Sequence, residues 1–384
     1  MRFAIDIAGL AAVDGIGTFT RETTRALLQR RRDVDGARSA WALVDLRGGL
    51  TRTHVETLLP AALLDGVEVR VAERLDPHLD ARLDATFDPA CLENIDAVLA
   101  TSWTRPAGLA TPCVFVAYDL TFLSHASMHT LENRVHCLEG CLQAILHDDR
   151  FLTISHDAAR ALEKELGLET SRIAVAHLAA PTALAPSADS RAAEPGSSEP
   201  DDSGYILAVG TLEPRKNLLR LVRAHAGLPR SLRQRFPLWI AGGGGWRNAE
   251  LLAALEAAED DGTVRRLGRV DDATLTELYA GASLVAFVSL AEGFGLPVAE
   301  AMAHGVPVLA SDLPVLREVA TDTAAHFVDP QDVEAIGAGL RQLLDDPSRR
   351  RELATAGRTR AAELSWDAVA EIVWEQLVAS VPAS

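Results

Sequence analysis

Residues 284–310 read LVAFVSLAEGFGLPVAEAMAHGVPVLA. Two apolar runs, Leu284–Val288 and Val306–Ala310, bracket a segment that carries two glycines and a proline near its start. Unbroken rather than alternating hydrophobicity marks a parallel strand buried on both faces. Pro297 suits the first position of a helix, where its missing N–H is not needed. The stretch therefore reads strand, loop, helix, strand, which is one repeat of a doubly wound α/β sheet. Glu292 falls in its loop and Glu300 one turn into its helix.

The same alternation continues on both sides. Further strands are predicted at Tyr205–Gly210, Pro237–Gly242, Val264–Leu267 and Ala324–Val328. Val333, Ile336, Leu340 and Leu343 form an apolar stripe behind Asp332, a helix with a candidate N-cap. The first half predicts strands at Arg2–Ile7, Ala42–Leu46, Val67–Val71, Asp96–Thr101, Cys113–Tyr118, Arg150–Ile154 and Ile173–Ala176, with helices such as Arg21–Arg32 and Asp157–Leu166 between them. Between the halves, Pro181–Gly204 holds four prolines and no periodicity, the composition of a linker. The expected plan is α/β throughout: a Rossmann-like domain over residues 1–180, a linker over 181–204, a second Rossmann-like domain over 205–365, and a last helix over 366–384 that packs back on the first domain. Two such sheets are expected to face a central cleft onto which their strand ends open.

The chain has 384 residues, 48% of them hydrophobic, which excludes global disorder. Its 37 Lys+Arg against 54 Asp+Glu give a net charge of −17, which argues against a surface built to grip nucleic acid. The longest uncharged apolar run without proline, about Ala280–Ala291, is far shorter than the ~20 residues of a bilayer span. Asp6 interrupts the apolar N-terminus and no cleavage signature follows, so no secretory signal is read. Four cysteines are too sparse for a disulfide scaffold. The expectation is a soluble, acidic, cytoplasmic protein.

Two motifs carry most of the chemistry. In GTLEPRKN (210–217) a strand ends in glycine and Asn217 is placed to cap the next helix. Arg215 and Lys216 then sit at a strand end beside a helix N-terminus, an anion site that fits a diphosphate; an isolated Arg-Lys pair would otherwise be solvated. In EGFGLPVAE (292–300) Gly293 and Gly295 let the backbone approach a ligand, and Glu292 and Glu300 offer one carboxylate for sugar hydroxyls and one for ribose. DGIGT (14–18) is a partial dinucleotide fingerprint, with Thr20 where a third glycine belongs. Gly242–Gly245 reads as a flexible turn.

Other clusters read more blandly. Asp33-Val-Asp35 is a solvated loop, and Cys137 and Cys141, with His136 and His147 nearby, are buried thiols before they are a zinc site. His125 and His129 follow Asp119 at a strand end and are kept as candidates. Arg21, Arg25, Arg30, Arg31 and Arg32 form a basic helix face, either solvated or docked on an anionic membrane surface.

At these residues the chain resembles a family 4 retaining glycosyltransferase of the GT-B fold, similar to bacterial polysaccharide mannosyltransferases. GTLEPRKN (210–217), LWIAGGGGW (238–246), EGFGLPVAE (292–300), AMAHGVPVLASD (301–312) and Ser365-Trp366 carry the resemblance; GIGTFT (15–20), YDLTFL (118–123) and LTISHDAARAL (152–162) extend it thinly into the first half. The resemblance implies a nucleotide-sugar donor in the second domain, a saccharide or lipid-linked acceptor in the first, and neither metal nor cofactor. It implies that Arg215 and Lys216 bind the diphosphate and Glu300 the ribose. Thr211, Glu292, Gly293, Phe294, Gly295 and Leu296 would hold the donor sugar and phosphates. Val270 and Leu275 would lie near the base, and Gly15 and Gly17 would reach the donor from the first domain. The family often carries a histidine where this chain has Tyr118, so Asp119 or His125 would take over there. GDP-mannose is the first donor expected, a UDP-sugar the second. A Rossmann dehydrogenase and a non-catalytic binder are the rivals; the incomplete glycine motifs weigh against the first and the retained Arg215, Lys216, Glu292 and Glu300 against the second.

Overall fold

The computed structural model describes residues 1–12, 14–31, 39–46, 50, 52–71, 92–105, 109–185 and 204–382. The Asp33-Val-Asp35 string and residues 186–203 of the linker lie outside them. The chain divides into two compact units, Met1–Leu178 with Ser365–Ser384, and Ala179–Leu364.

The first unit holds β1 (Arg2–Asp6), β2 (Ala40–Asp45), β3 (Glu68–Val71), β4 (Ala97–Ala100), β5 (Cys113–Val116), β6 (Arg150–Thr153) and β7 (Ile173–Val175). They form one parallel sheet in the order β3-β2-β1-β4-β5-β6-β7. Its helices are α1 (Gly15–Arg30), α2 (Arg52–Leu58), α3 (Thr121–Ser124), α4 (Leu131–Leu146) and α5 (His156–Leu166). Every residue of β4 and β5 is buried, as unbroken apolar runs require.

The second unit holds β8 (Tyr205–Val209), β9 (Leu238–Ala241), β10 (Val264–Gly268), β11 (Ala282–Phe287), β12 (Val308–Ser311) and β13 (His326–Val328), ordered β10-β9-β8-β11-β12-β13 and again parallel. Around them lie α6 (Leu218–Ala226), α7 (Arg230–Arg235), α8 (Ala249–Asp260), α9 (Asp272–Gly281), α10 (Leu296–His304), α11 (Pro314–Ala324), α12 (Val333–Asp345) and α13 (Pro347–Ala362). Ile336, Leu340 and Leu343 of α12 pack with Ile206, Ile240, Leu284 and Leu309, and Asp332 caps that helix by accepting from the N–H groups of Glu334 and Ala335. The doubly wound α/β architecture read from the sequence is the one found, twice.

Three local readings are corrected. α1 starts at Gly15 rather than near Arg21, because Asp14 accepts from the Gly17 N–H at 2.9 Å and caps it. Arg32 lies outside the described residues, and the four described arginines, Arg21, Arg25, Arg30 and Arg31, do not form a free basic face. Arg21 donates to the Leu10 and Ala12 carbonyls, Arg25 pairs with Glu22, Arg30 with Glu371, and Arg31 donates to the Asp65 and Gly66 carbonyls. The glycine run after β9 is not an open turn throughout: a Cβ would lie 1.9 Å from the Gly210 oxygen at Gly242 and 2.4 Å from the Leu212 oxygen at Gly245, whereas Gly244 is unobstructed.

The final helix α14 (Trp366–Ser380), capped by Ser365, belongs to the first unit. Its Trp374 ring lies 5.3 Å from Phe3, and Arg30 stacks 4.8 Å from the same indole. α4 buries Cys137, Gly140, Cys141 and Ala144 and leaves Leu131, Val135, Leu142 and Leu146 exposed. Burial pushes the Cys141 thiol up to about 12, so it stays neutral.

Candidate active site

In each sheet the strand order reverses beside the first strand, between β1 and β4 and between β8 and β11. Ligands of such sheets bind beyond the carboxyl ends at this point, because the two loops part in opposite directions and leave a crevice. In the second unit those loops are the two motifs read from the sequence. Leu207 pairs with Val285, so the strands run side by side, and the Leu290 N–H donates to the Arg215 carbonyl at 2.8 Å, joining the loops.

Four charged side chains meet there. Arg215 donates from Nη1 to Glu292 Oε2 at 2.7 Å and to the Ala291 carbonyl at 3.0 Å, and from Nη2 to Glu213 Oε1 at 2.8 Å. Lys216 Nζ donates to Glu292 Oε1 at 2.6 Å and lies 5.1 Å from the Phe287 ring centre. Burial alone would raise the Glu292 carboxyl, but Arg215 and Lys216 outweigh it and hold it down at about 2. Burial, aided by Arg215, lowers Lys216 against the pull of Glu292. The two cations are therefore held in place, and they face two carboxylates rather than open solvent.

Asn217 is not the side-chain cap expected of it. It sits in the left-handed region at φ 57°, and its amide donates to the Val288 carbonyl at 2.8 Å and the Pro330 carbonyl at 2.7 Å. It thus ties the Arg215–Lys216 turn to the ends of β11 and β13.

α10 opens at Leu296 behind Gly295, whose φ of 103° and whose place against Leu316, 2.6 Å from an added Cβ, admit only glycine. Gly293 and Phe294 are buried in the same turn, and Leu296 is half-buried. Glu300 is buried one turn on, and Tyr279 of α9 donates to its Oε2 at 2.6 Å. Burial pushes the Glu300 carboxyl up to about 7, with Asp272 adding and Tyr279 and Lys216 opposing. Thr211, Val270 and Leu275 are half-buried, following β8 and β10 at the same edge of the sheet.

In the first unit Gly15 is exposed at the start of α1, whereas Gly17 is packed, 1.8 Å separating an added Cβ from the Ala12 oxygen. Asp119 Oδ1 accepts from the Thr121 N–H at 2.8 Å and hydroxyl at 2.6 Å. The Thr121 hydroxyl also meets His129 Nε2 at 2.9 Å, so the structure links His129 to Asp119; His125 meets Ser124 instead. Tyr118 is buried and its hydroxyl donates to the Thr101 carbonyl at 2.6 Å.

The sequence reading missed Glu213, Tyr279 and the buried cluster around Asp6, which accepts from Ser102 Oγ at 2.5 Å and from the Ala8 N–H at 3.0 Å. A carboxylate closing an apolar strand was the available signal for Asp6; nothing local marked Tyr279.

Solved structures share this fold. The glycosyltransferase WaaG, involved in lipopolysaccharide biosynthesis, superposes with a TM-score of 0.69 over 98% of this chain and 99% of its own, at 17% identity. The two units are those of a GT-B protein. Residues 189–360, less than half of the chain, match the family model for glycosyl transferases group 1. O-antigen chain mannosyltransferase B of Escherichia coli is 45% identical over 165 residues, 43% of either chain, and the serotype-specific mannosyltransferase WbdA of Escherichia coli is 36% identical over 180 residues, 46% of this chain and 22% of its own. The alignments span less than half the length of these relatives. No helix among the described residues is long and apolar enough to cross a membrane.

Proposed function

We propose that this protein is a retaining hexosyltransferase that moves a sugar from a nucleoside diphosphate, GDP-mannose first and a UDP-sugar second, to a saccharide or lipid-linked acceptor in bacterial glycan synthesis. The observation that carries this reading is the meeting of Arg215, Lys216 and Glu292 at the switch point of the second sheet, with Glu300 buried one turn into the helix that follows. The mannosyltransferase relatives support the choice of sugar.

In the reaction the bond from the anomeric carbon to the phosphate oxygen breaks, and the acceptor oxygen bonds that carbon on the same face. The acceptor proton passes to the departing phosphate. Charge grows on the diphosphate, and Arg215 and Lys216, held 2.6–2.7 Å from Glu292, are already positioned to meet it, with the start of α10 adding its N–H groups. Glu300 accepts from the ribose. Asp119, with the Thr121–His129 chain, lines the acceptor side. Docking on a lipid surface is part of the proposal, and the exposed leucines of α4 support it better than the occupied arginines of α1.

Thermal-shift titration with GDP- and UDP-sugars, followed by NMR of the product anomer, tests the reading. A donor-specific shift and a retained anomer are expected, unaffected by EDTA. No shift with any nucleotide sugar would defeat the donor assignment.

A further inference from the structure

Glu300 is not positioned by its own helix alone. Its Oε2 is taken by the Tyr279 hydroxyl at 2.6 Å, while Oε1 has no protein partner among the described residues. Tyr279 is fully buried on α9, so its ring cannot swing away without opening the core. His304, one turn after Glu300, stacks on that ring with centroids 5.3 Å apart and planes at 19°. His304 Nε2 lies 2.7 Å from the Leu184 carbonyl. A carbonyl only accepts, so Nε2 carries the proton and the imidazole is anchored to the turn Thr182–Leu184, where the chain enters this unit.

We propose that Tyr279 is the positioning residue of the donor site: its hydroxyl fixes the Glu300 carboxylate so that the second oxygen is presented to the nucleoside ribose, and His304 holds the Tyr279 ring in place. The proposal rests on the reading of Glu300 as the ribose acceptor. Its physical basis is that an ionised carboxylate on a two-bond stem has several rotamers, and a buried donor on one oxygen selects one of them. Because burial and Glu300 push the Tyr279 hydroxyl well above its usual range, it remains a donor at every working pH.

Removing that donor has a second consequence. Tyr279 and Lys216 favour the charged form of Glu300, and Asp272 and burial oppose it. On the helices packed against α10, Arg317 is bound to Asp312 and Asp322, and Arg360 to Glu363 and the Glu318 and Val319 carbonyls, so neither is available to replace the hydroxyl. Without Tyr279 the carboxyl protonates at higher pH.

The test is calorimetric titration of the full chain with GDP and UDP between pH 6 and 9, for the wild type, Tyr279→Phe, Glu300→Gln and the double variant, with inorganic diphosphate as a second ligand. At pH 8 Tyr279→Phe is expected to weaken nucleoside diphosphate binding about tenfold, the scale of one hydrogen bond to a charged group. Inorganic diphosphate binding should not change, and the pH below which affinity falls should move upward. In the Glu300→Gln background the tyrosine change should add little. Wild-type affinity and pH profile in Tyr279→Phe, equal loss for both ligands, or additive effects in the double variant would each overturn the proposal. Because Tyr279→Phe is buried, unfolding is checked by melting temperature. If it melts early, His304→Gln, which loosens the ring but leaves the hydroxyl, should show the same nucleoside-selective loss; a variant binding as wild type would overturn the proposal. A wild type that binds inorganic diphosphate but neither nucleotide would defeat the donor reading itself, and is told apart by that pattern.

Discussion

Glu292 answers two cations with one carboxylate. Taking it away leaves Lys216 buried without its hydrogen-bonded carboxylate and removes one of the two carboxylates that Arg215 meets. Breaking a buried ion pair from one side costs about 3–5 kcal/mol, because the remaining charge is uncompensated. Glu292→Ala should therefore melt well below the wild type, and inorganic diphosphate should raise its melting temperature more than it raises the wild type's. Equal shifts would mean that the carboxylate and the diphosphate do not share the same cations. Replacing Arg215 and Lys216 together should lower kcat/KM by at least ~10²-fold, since both meet charge that develops as the bond breaks. Steady-state kinetics with the donor checks this. Glu300 carries a pH signature of its own. Its carboxyl is raised from 4.5 to about 7, so the folded state holds its proton more tightly than the unfolded chain does. That contribution to stability is complete below about pH 4.5 and is lost as pH rises through 7, a loss on the order of 3 kcal/mol by pH 8. Glu300→Gln escapes the loss. It should melt above the wild type at pH 8 and close to it at pH 5, while binding nucleoside diphosphate more weakly.

At the scale of elements, the thirteen described strands were legible mainly because the central ones are nearly unbroken apolar runs, and burial on both faces leaves little else such a run can be, while β3 and β10, which carry Glu68, Arg70, Arg265 and Arg266, lie at the sheet edges. Arg215, Lys216, Glu292 and Glu300 were legible for a related reason: a motif pinned to a strand end has its place set by the sheet. What was hidden depends on partners far along the chain. Asn217 looked like a helix cap, but its amide bonds to carbonyls 71 and 113 residues away, and no local pattern encodes those. α1 looked late in starting because glycines at 15 and 17 read as loop, whereas Gly17 is there to clear the Ala12 carbonyl. The Asn217 tie makes a specific expectation. Asn217→Ala strands two carbonyls and frees the Arg215–Lys216 turn, so it should cost ~1–3 kcal/mol in urea unfolding and weaken inorganic diphosphate binding as well. Lost stability with unchanged diphosphate affinity would show that the turn keeps its shape without the tie.

At the scale of the whole molecule, the second unit is continuous in sequence and the first is not. A chain of residues 179–364 should fold alone, show a cooperative melt and bind nucleoside diphosphate. Residues 1–364 should keep that binding but lose the melt of the first unit, because Trp366, Val369, Ala370, Val373 and Leu377 of α14 are buried in it. Calorimetric scans of both truncations decide the matter.

That placement of α14 also sets a timetable on the ribosome. Residues 1–178 leave the exit tunnel first, yet the helix that covers their sheet is some two hundred residues behind. At ~5–20 residues per second the gap is roughly 10–40 s, during which the second unit can close on itself while the first shows an uncovered apolar surface. A nascent chain of this kind is exposed to chaperone capture late rather than early in its synthesis, and slow codons placed between the units would lengthen the exposure rather than shorten it.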